Sequence, residues 1–176
     1  VTSESSNLFA GDPDGYERLW TPHRMVYLNK EDDRTRCPFC VAPERTDEDG
    51  LIVFRGKLAY VIMNLYPYNS GHVMVCPFRH IGTYDLATID EVTEIATLTQ
   101  IAMTVLTEAT GCIGFNIGMN QGEVAGAGIH EHLHQHIVPR WHNDSNFFPI
   151  IAKTKAMPRL LGEMRELLAS HWPAES

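Results

Sequence analysis

Histidines recur at every second position from His130 to His136 in the stretch Gly126-Ala-Gly-Ile-His-Glu-His-Leu-His-Gln-His-Ile-Val-Pro-Arg-Trp141. That spacing restricts the backbone. In an extended strand side chains alternate with a period of two, so His132, His134 and His136 would share one face at intervals of about 6–7 Å. Leu133, Gln135 and Ile137 would then point the other way. A helix would scatter the same residues around its circumference. Val138 and Pro139 also favour an extended chain that stops soon afterwards. Short His-rich tracts on a surface do bind metals adventitiously. Here the opposite face is largely aliphatic and the approach, Gly122 to Gly128, is rich in glycine, which argues for a built site.

The remaining segments supply a sheet for this strand to join. Leu51–Phe54 and Leu58–Met63 read as two strands joined at Gly56-Lys57, whose turn chemistry fits a hairpin. The loop Asn64-Leu-Tyr-Pro-Tyr-Asn-Ser-Gly71 leads to a third strand, His72–Cys76, with Arg79-His80 beyond its end. Thr88 and Glu91 form a capping box. Val92, Ile95, Ala96, Thr99, Met103 and Leu106 then recur at helical spacing until Gly111. Ile113–Met119 reads as a fourth strand and the histidine run as the fifth. Leu160, Leu161, Met164, Leu167 and Leu168 mark a final helix between Pro158 and Pro173. The expected fold is therefore α+β: a five-stranded, mainly antiparallel sheet with one long helix crossing between the third and fourth strands and a C-terminal helix. A doubly wound parallel sheet would need a helix after nearly every strand. Residues 1–15 read as a loose tail and 16–176 as a single domain.

Charge and cysteine content narrow the function. The net charge of −8 argues against a nucleic-acid-binding surface and requires any phosphate site to be made locally. No apolar run approaches 18 residues and the start shows no signal-peptide pattern, so neither membrane association nor export is expected. Four cysteines are too few for a disulfide scaffold in 176 residues, and a reduced cytoplasmic setting fits. Cys76 and Cys112 lie in apolar surroundings and read as small core residues. The Cys37-Pro-Phe-Cys40 pair admits half a zinc site, a redox pair or chance. A thioredoxin-like pair would follow a strand at a helix N-terminus, whereas this one follows a charged linker. Zinc needs four soft or borderline donors, and the histidine run with His80 can complete the set.

The alternating imidazoles suit nucleophilic chemistry on phosphorus. Imidazole is substantially unprotonated at neutral pH and can attack an α-phosphorus to give a covalent intermediate. Charge developing on the non-bridging oxygens then needs fixed donors. A neighbouring imidazole and the backbone of Asn120–Gly128 are the candidates. Arg140 and the Lys153/Lys155 pair, cationic residues flanking the same strand, are candidates to help hold the polyphosphate. His23, His142 and His171 read as surface or edge residues, and His72 as a satisfied structural histidine.

His132-Leu-His134-Gln-His136-Ile-Val resembles the motif of the histidine triad family of nucleotidyl hydrolases and transferases. The resemblance extends to Trp20–Tyr27, the Cys37–Cys40 pair, Asn64–His72, Phe115–Asn120 and His136–Trp141, in the same order. Over roughly residues 16–160 it is greatest to the branch of actinobacterial-type diadenosine tetraphosphate phosphorylases (ATP adenylyltransferases). It implies a five-stranded antiparallel sheet with two helices, and a homodimer. It implies that His134 is the nucleophile and His136 a phosphate contact, that Asn64 holds the ribose hydroxyls, and that Asn120 meets the nucleotide near the α-phosphate. It further implies a structural zinc on Cys37, Cys40, His80 and His132. Three features depart from the family. Ala127-Gly128 replaces a common Gln-Ser or Gln-Thr pair, the loop runs one residue longer to His130-Glu131, and Gln135 replaces an aliphatic residue. Gly126, Ala127 and Gly128 amides, or His130, would then meet the phosphate, while Gln135 would act in packing.

The expected activity is phosphorolysis of diadenosine tetraphosphate to ADP and ATP through a nucleotidyl-histidine, with inorganic phosphate as acceptor. A hydrolase using water on phosphoramidates, acyl-nucleotides or dinucleoside polyphosphates is the alternative. A non-catalytic nucleotide-binding module fits less well, having no need of an uncharged nucleophile between two other imidazoles.

Overall fold

The structure is a computed structural model and describes residues 36–142, 144 and 157–174. The expected boundary after residue 15, the Trp20–Tyr27 segment, His23, Lys153 and Lys155 lie outside the described residues.

Five strands form one sheet: β1 (Ile52–Arg55), β2 (Ala59–Met63), β3 (Val73–Pro77), β4 (Gly114–Gly118) and β5 (Gln135–Arg140). Their order across the sheet is β1-β2-β3-β5-β4, and every neighbouring pair is antiparallel. β5 therefore inserts between β3 and β4, which run parallel to each other and need a long connection. A 22-residue helix supplies it. Before it comes a one-turn helix, α1 (Pro38–Val41); the crossing helix is α2 (Ile89–Thr110), and the last is α3 (Leu161–His171).

α2 begins and ends as its sequence dictates. The Thr88 hydroxyl accepts from the Glu91 amide and the Glu91 carboxylate accepts from the Thr88 amide, at 3.2 and 2.7 Å. Gly111 closes the helix in the left-handed region with φ +68°, where a side chain would be strained. The helix lays Ile95, Leu98, Ala102, Val105 and Leu106 on the sheet face formed by Val61, Met63, Val73, Val75, Leu133 and Ile137. Burial of this apolar surface is what holds the layers together. α3 docks through Met164 and Leu168, and the Arg165 Nε donates to the Ile52 carbonyl at 2.8 Å. Among the described helices none is long and apolar enough to cross a membrane.

The opposite sheet face carries Ile52, Tyr60, Ile62, Met74 and Cys76. Phe39 and Ala42, from α1 and the turn after it, cover these residues. Cys76 and Cys112 are both buried, as their apolar surroundings suggest.

One expectation is corrected. The histidine run is not a strand throughout, because β5 begins at Gln135 and only His136 lies within it. Side chains claim the carbonyls that a longer ladder would use. The Pro77 carbonyl lies 2.9 Å from His132 Nε2, and the His132 carbonyl 2.8 Å from His134 Nδ1. The Leu133 amide meanwhile bonds the Ile81 carbonyl. The alternation of faces survives, since Leu133 and Ile137 still pack toward the helices.

Candidate active site and metal centre

His132, His134 and His136 lie on the sheet face away from α2. His134 and His136 meet edge to face with ring centroids 4.9 Å apart. His134 is 6% exposed. Burial pushes its imidazole below the ordinary 6.5, against a hydrogen bond to the His132 carbonyl that favours the charged form. That bond also fixes the tautomer. A carbonyl only accepts, so Nδ1 must carry the proton, and Nε2 is left with its lone pair.

A second chain of bonds sets the opposite tautomer on His136. The Tyr68 amide donates to His72 Nδ1 at 3.0 Å, so the neutral His72 carries its proton on Nε2. His72 Nε2 lies 2.9 Å from His136 Nδ1 and donates to it. The proton of His136 is thereby placed on its own Nε2. The pair thus offers a nucleophilic nitrogen on His134 beside an N–H donor on His136. The Tyr68 ring packs on His72 and His136 at 4.7 and 5.5 Å.

His72 is the satisfied, fully buried histidine that the sequence suggests. Its contact with His136 is the part that sequence reasoning missed. It starts β3, and only the insertion of β5 beside β3, with Met74 facing His136, brings the two together. Phe39 was missed as well. It sits inside the cysteine pair, and its ring lies 4.9 Å from His134 and 5.5 Å from His132.

The other expected residues divide. Asn64 is half-buried at the end of β2; its Nδ2 lies 3.4 Å from His72 Nδ1 and its Oδ1 accepts from the Tyr66 amide. Asn120 follows β4 two residues after Gly118, the register partner of His136. Gly126, Ala127 and Gly128 follow a 3-10 turn, Glu123–Ala125, that Gly126 ends in the left-handed region. His130 is exposed and turns toward the Glu123 carboxylate at 3.8 Å, within the same loop. Arg140 lies at the far end of β5, held by both Asp144 carboxylate oxygens and by Asn116. Its charge is already matched, and the structure does not bring it to the histidines. Gln135 bonds the Thr99 hydroxyl of α2 at 2.6 Å, the packing role expected off the site face.

Cys37, Cys40, His80 and His132 come together as a second cluster, with one candidate donor atom each, all within 4.8 Å of one another. Cys37 Sγ and Cys40 Sγ each lie 3.5 Å from His132 Nδ1, and Cys40 Sγ lies 3.2 Å from His80 Nδ1. The donors fit a metal in a specific way. His132 Nε2 donates to the Pro77 carbonyl, which leaves the Nδ1 lone pair facing the thiols, the outer-shell arrangement that orients a ligating imidazole. The chain segments are held together independently. Gly82 lets the backbone approach the His130 carbonyl, which would lie 3.0 Å from an added Cβ. Cys37 caps α1, so the cysteine pair does sit at a helix N-terminus, contrary to the expectation. That helix is a single turn, and the two histidines, not a redox partner, face the thiols.

Comparison with known proteins shows what the chain resembles in sequence and in fold. The sequence profile of the HIT domain matches residues 45–143. Over 170 residues the chain is 45% identical to a protein of Mycobacterium tuberculosis named AP-4-A phosphorylase, covering 92% of this chain and 87% of that one. Among solved structures, a hypothetical histidine triad nucleotide-binding protein of Sulfolobus tokodaii has a TM-score of 0.63 at 25% identity, over 77% of this chain and 91% of that one. A Zn-bound histidine triad family protein from Mycobacterium smegmatis has a TM-score of 0.61 at 22% identity over the same shares, a likeness of fold.

Proposed function

Because the chain belongs to the histidine triad family, we propose that it is a nucleotidyltransferase that cleaves diadenosine tetraphosphate, and related dinucleoside polyphosphates, by phosphorolysis. The observation that carries this reading is the pair of opposite tautomers on His134 and His136. His134 Nε2 attacks the α-phosphorus, a P–N bond forms, and the P–O bond to the leaving nucleotide breaks. The negative charge gathering on the non-bridging oxygens meets the His136 Nε2–H and the backbone of the Gly126–Gly128 segment, with Asn120 beside them. Asn64, at the mouth of the site, holds the ribose. ATP departs, and an oxygen of inorganic phosphate then attacks the nucleotidyl-histidine. The P–N bond breaks, His134 regains its lone pair, and ADP is released. The similarity to the mycobacterial AP-4-A phosphorylase supports phosphate as the acceptor.

Cys37, Cys40, His80 and His132 would hold zinc. Zinc–sulfur bonds of about 2.3 Å and zinc–nitrogen bonds of about 2.0 Å at tetrahedral angles set sulfur and nitrogen about 3.5 Å apart. The separations of 3.2 to 3.5 Å are of that size. Four protein donors leave no open position, so the ion supplies a cross-link and takes no part in phosphoryl chemistry. Thiolate ligation needs reduced cysteines, which fits the cytoplasm. A homodimer is proposed from the family resemblance.

Product analysis tests the acceptor. With phosphate present, diadenosine tetraphosphate should yield equal amounts of ADP and ATP. Arsenate in place of phosphate should release AMP, because the mixed anhydride hydrolyses. AMP and ATP in plain buffer, with no response to phosphate, would replace the phosphorylase by a hydrolase.

A further inference from the structure

The cysteine loop does more than close the metal cluster, because it also carries a ring onto the nucleophile. Phe39 lies between Cys37 and Cys40 in α1 and is only 6% exposed. Its ring is tilted by 36° against the His134 imidazole at a centroid distance of 4.9 Å, and it meets His132 edge-on at 5.5 Å. Its carbonyl accepts from the buried Tyr60 hydroxyl at 2.6 Å, which fixes the loop to β2. The same cluster reaches His134 a second way, through the His132 carbonyl that accepts its Nδ1–H.

One hydrogen bond does not by itself fix an imidazole. Rotation about Cβ–Cγ exchanges Nδ1 with Cδ2 and Nε2 with Cε1, so a flipped ring presents carbon where the nucleophile belongs. That torsion is broad and roughly two-fold, with little intrinsic barrier. A flat apolar wall on one face, with the His136 ring against another side, removes the space needed to turn. We propose that Phe39 is a positioning residue that holds the His134 imidazole plane so that Nε2 faces the α-phosphorus. The clamp and the metal ligands belong to one loop, so the metal centre and the nucleophile are a single mechanical unit. This rests on the assignment of His134 as nucleophile.

The zinc-loaded full chain, Phe39→Ala and Phe39→Leu should be compared by three measurements. Nitrogen-15 spectra of the histidine rings at pH 8 should show His134 as the Nδ1–H tautomer in the unsubstituted protein. In Phe39→Ala that signal should be replaced by a mixture of tautomers, with Phe39→Leu, which keeps apolar volume without a flat face, in between. For diadenosine tetraphosphate, kcat in Phe39→Ala should fall on the order of tenfold or more while KM stays within about twofold, the split expected when a reacting group is misplaced. Metal analysis should find zinc retained in both variants. A wild-type tautomer together with wild-type kcat in Phe39→Ala would overturn the proposal. So would a raised KM at constant kcat, which would make Phe39 a substrate contact, or loss of zinc from both variants, which would place the effect on the metal. If the unsubstituted protein did not turn over dinucleoside polyphosphates, the proposed activity would fall, and the tautomer signal alone would decide the role of Phe39.

Discussion

A proton placed on the wrong nitrogen of either histidine would disable this site without moving a heavy atom. His134→Ala removes the proposed attacking group and should abolish turnover, while nucleotide affinity measured by calorimetry stays within about tenfold, because the lost group would act mainly in the transition state. A variant retaining a tenth of the rate would exclude His134 as nucleophile. His136→Ala removes only the proposed donor to the developing charge and should be less complete, costing about 10²–10³ in kcat. His72→Phe keeps a buried ring but cannot donate to His136 Nδ1. It should lower kcat on the order of tenfold with KM little changed, and steady-state kinetics would show whether KM moves instead. Much of this was legible in the sequence. Period-two spacing set the triad on one face because Leu133 and Ile137 had to reach the core. His72 and Phe39 were illegible as site residues, since one depends on which strand neighbours β5 and the other on a loop folding back over 95 residues from Cys37 to His132.

α2 illustrates why some elements can be read in advance. Its capping box, helical spacing and terminal glycine are local signals, and each is realised at the expected residue. The start of β5 is a different matter, decided by carbonyls that tertiary neighbours claim. α2 also carries a buried charge whose effect on stability has a definite sign. The Arg79 guanidinium beside Glu91, helped by the Thr88 amide, holds the Glu91 carboxyl at about 2, below its ordinary 4.5. The folded chain therefore keeps Glu91 ionised in a range where the unfolded chain binds a proton. Its contribution is complete above about 4.5 and is lost as pH falls from there toward about 2. Glu91→Gln should be less stable than the parent at pH 7 in urea unfolding, and the gap should narrow at pH 3. A gap of equal size at both pH values would show that the Arg79 pair is not its source.

The two faces of the sheet are secured in different ways, and this decides what a metal on Cys37, Cys40, His80 and His132 would do for the molecule as a whole. One face is sealed by α2 and α3 with a continuous apolar layer. Over the face that bears the histidines, the described cover is α1 and its turn, with Phe39 and Ala42 as the buried apolar residues. A four-residue helix has little stability of its own. A metal held by the four donors would tie it to the end of β3 and the approach to β5, across separations of 40 to 95 residues. Closing loops of that length in advance removes conformational freedom from the unfolded chain, and a metal bound only by the folded state adds its binding free energy to stability. Protein purified without an affinity tag should therefore contain about one zinc per chain. Chelation, or Cys37→Ser, should lower Tm in calorimetry. The first region to lose amide protection in hydrogen exchange should be α1 and the 130–134 approach, ahead of α2, because the helical face keeps its own core. Stoichiometric zinc in a protein lacking both Cys37 and Cys40 would place the ion elsewhere, and a Tm unmoved by complete zinc removal would show that packing of Phe39 and Ala42 and hydrogen bonds such as that of the Tyr60 hydroxyl hold that loop without the ion.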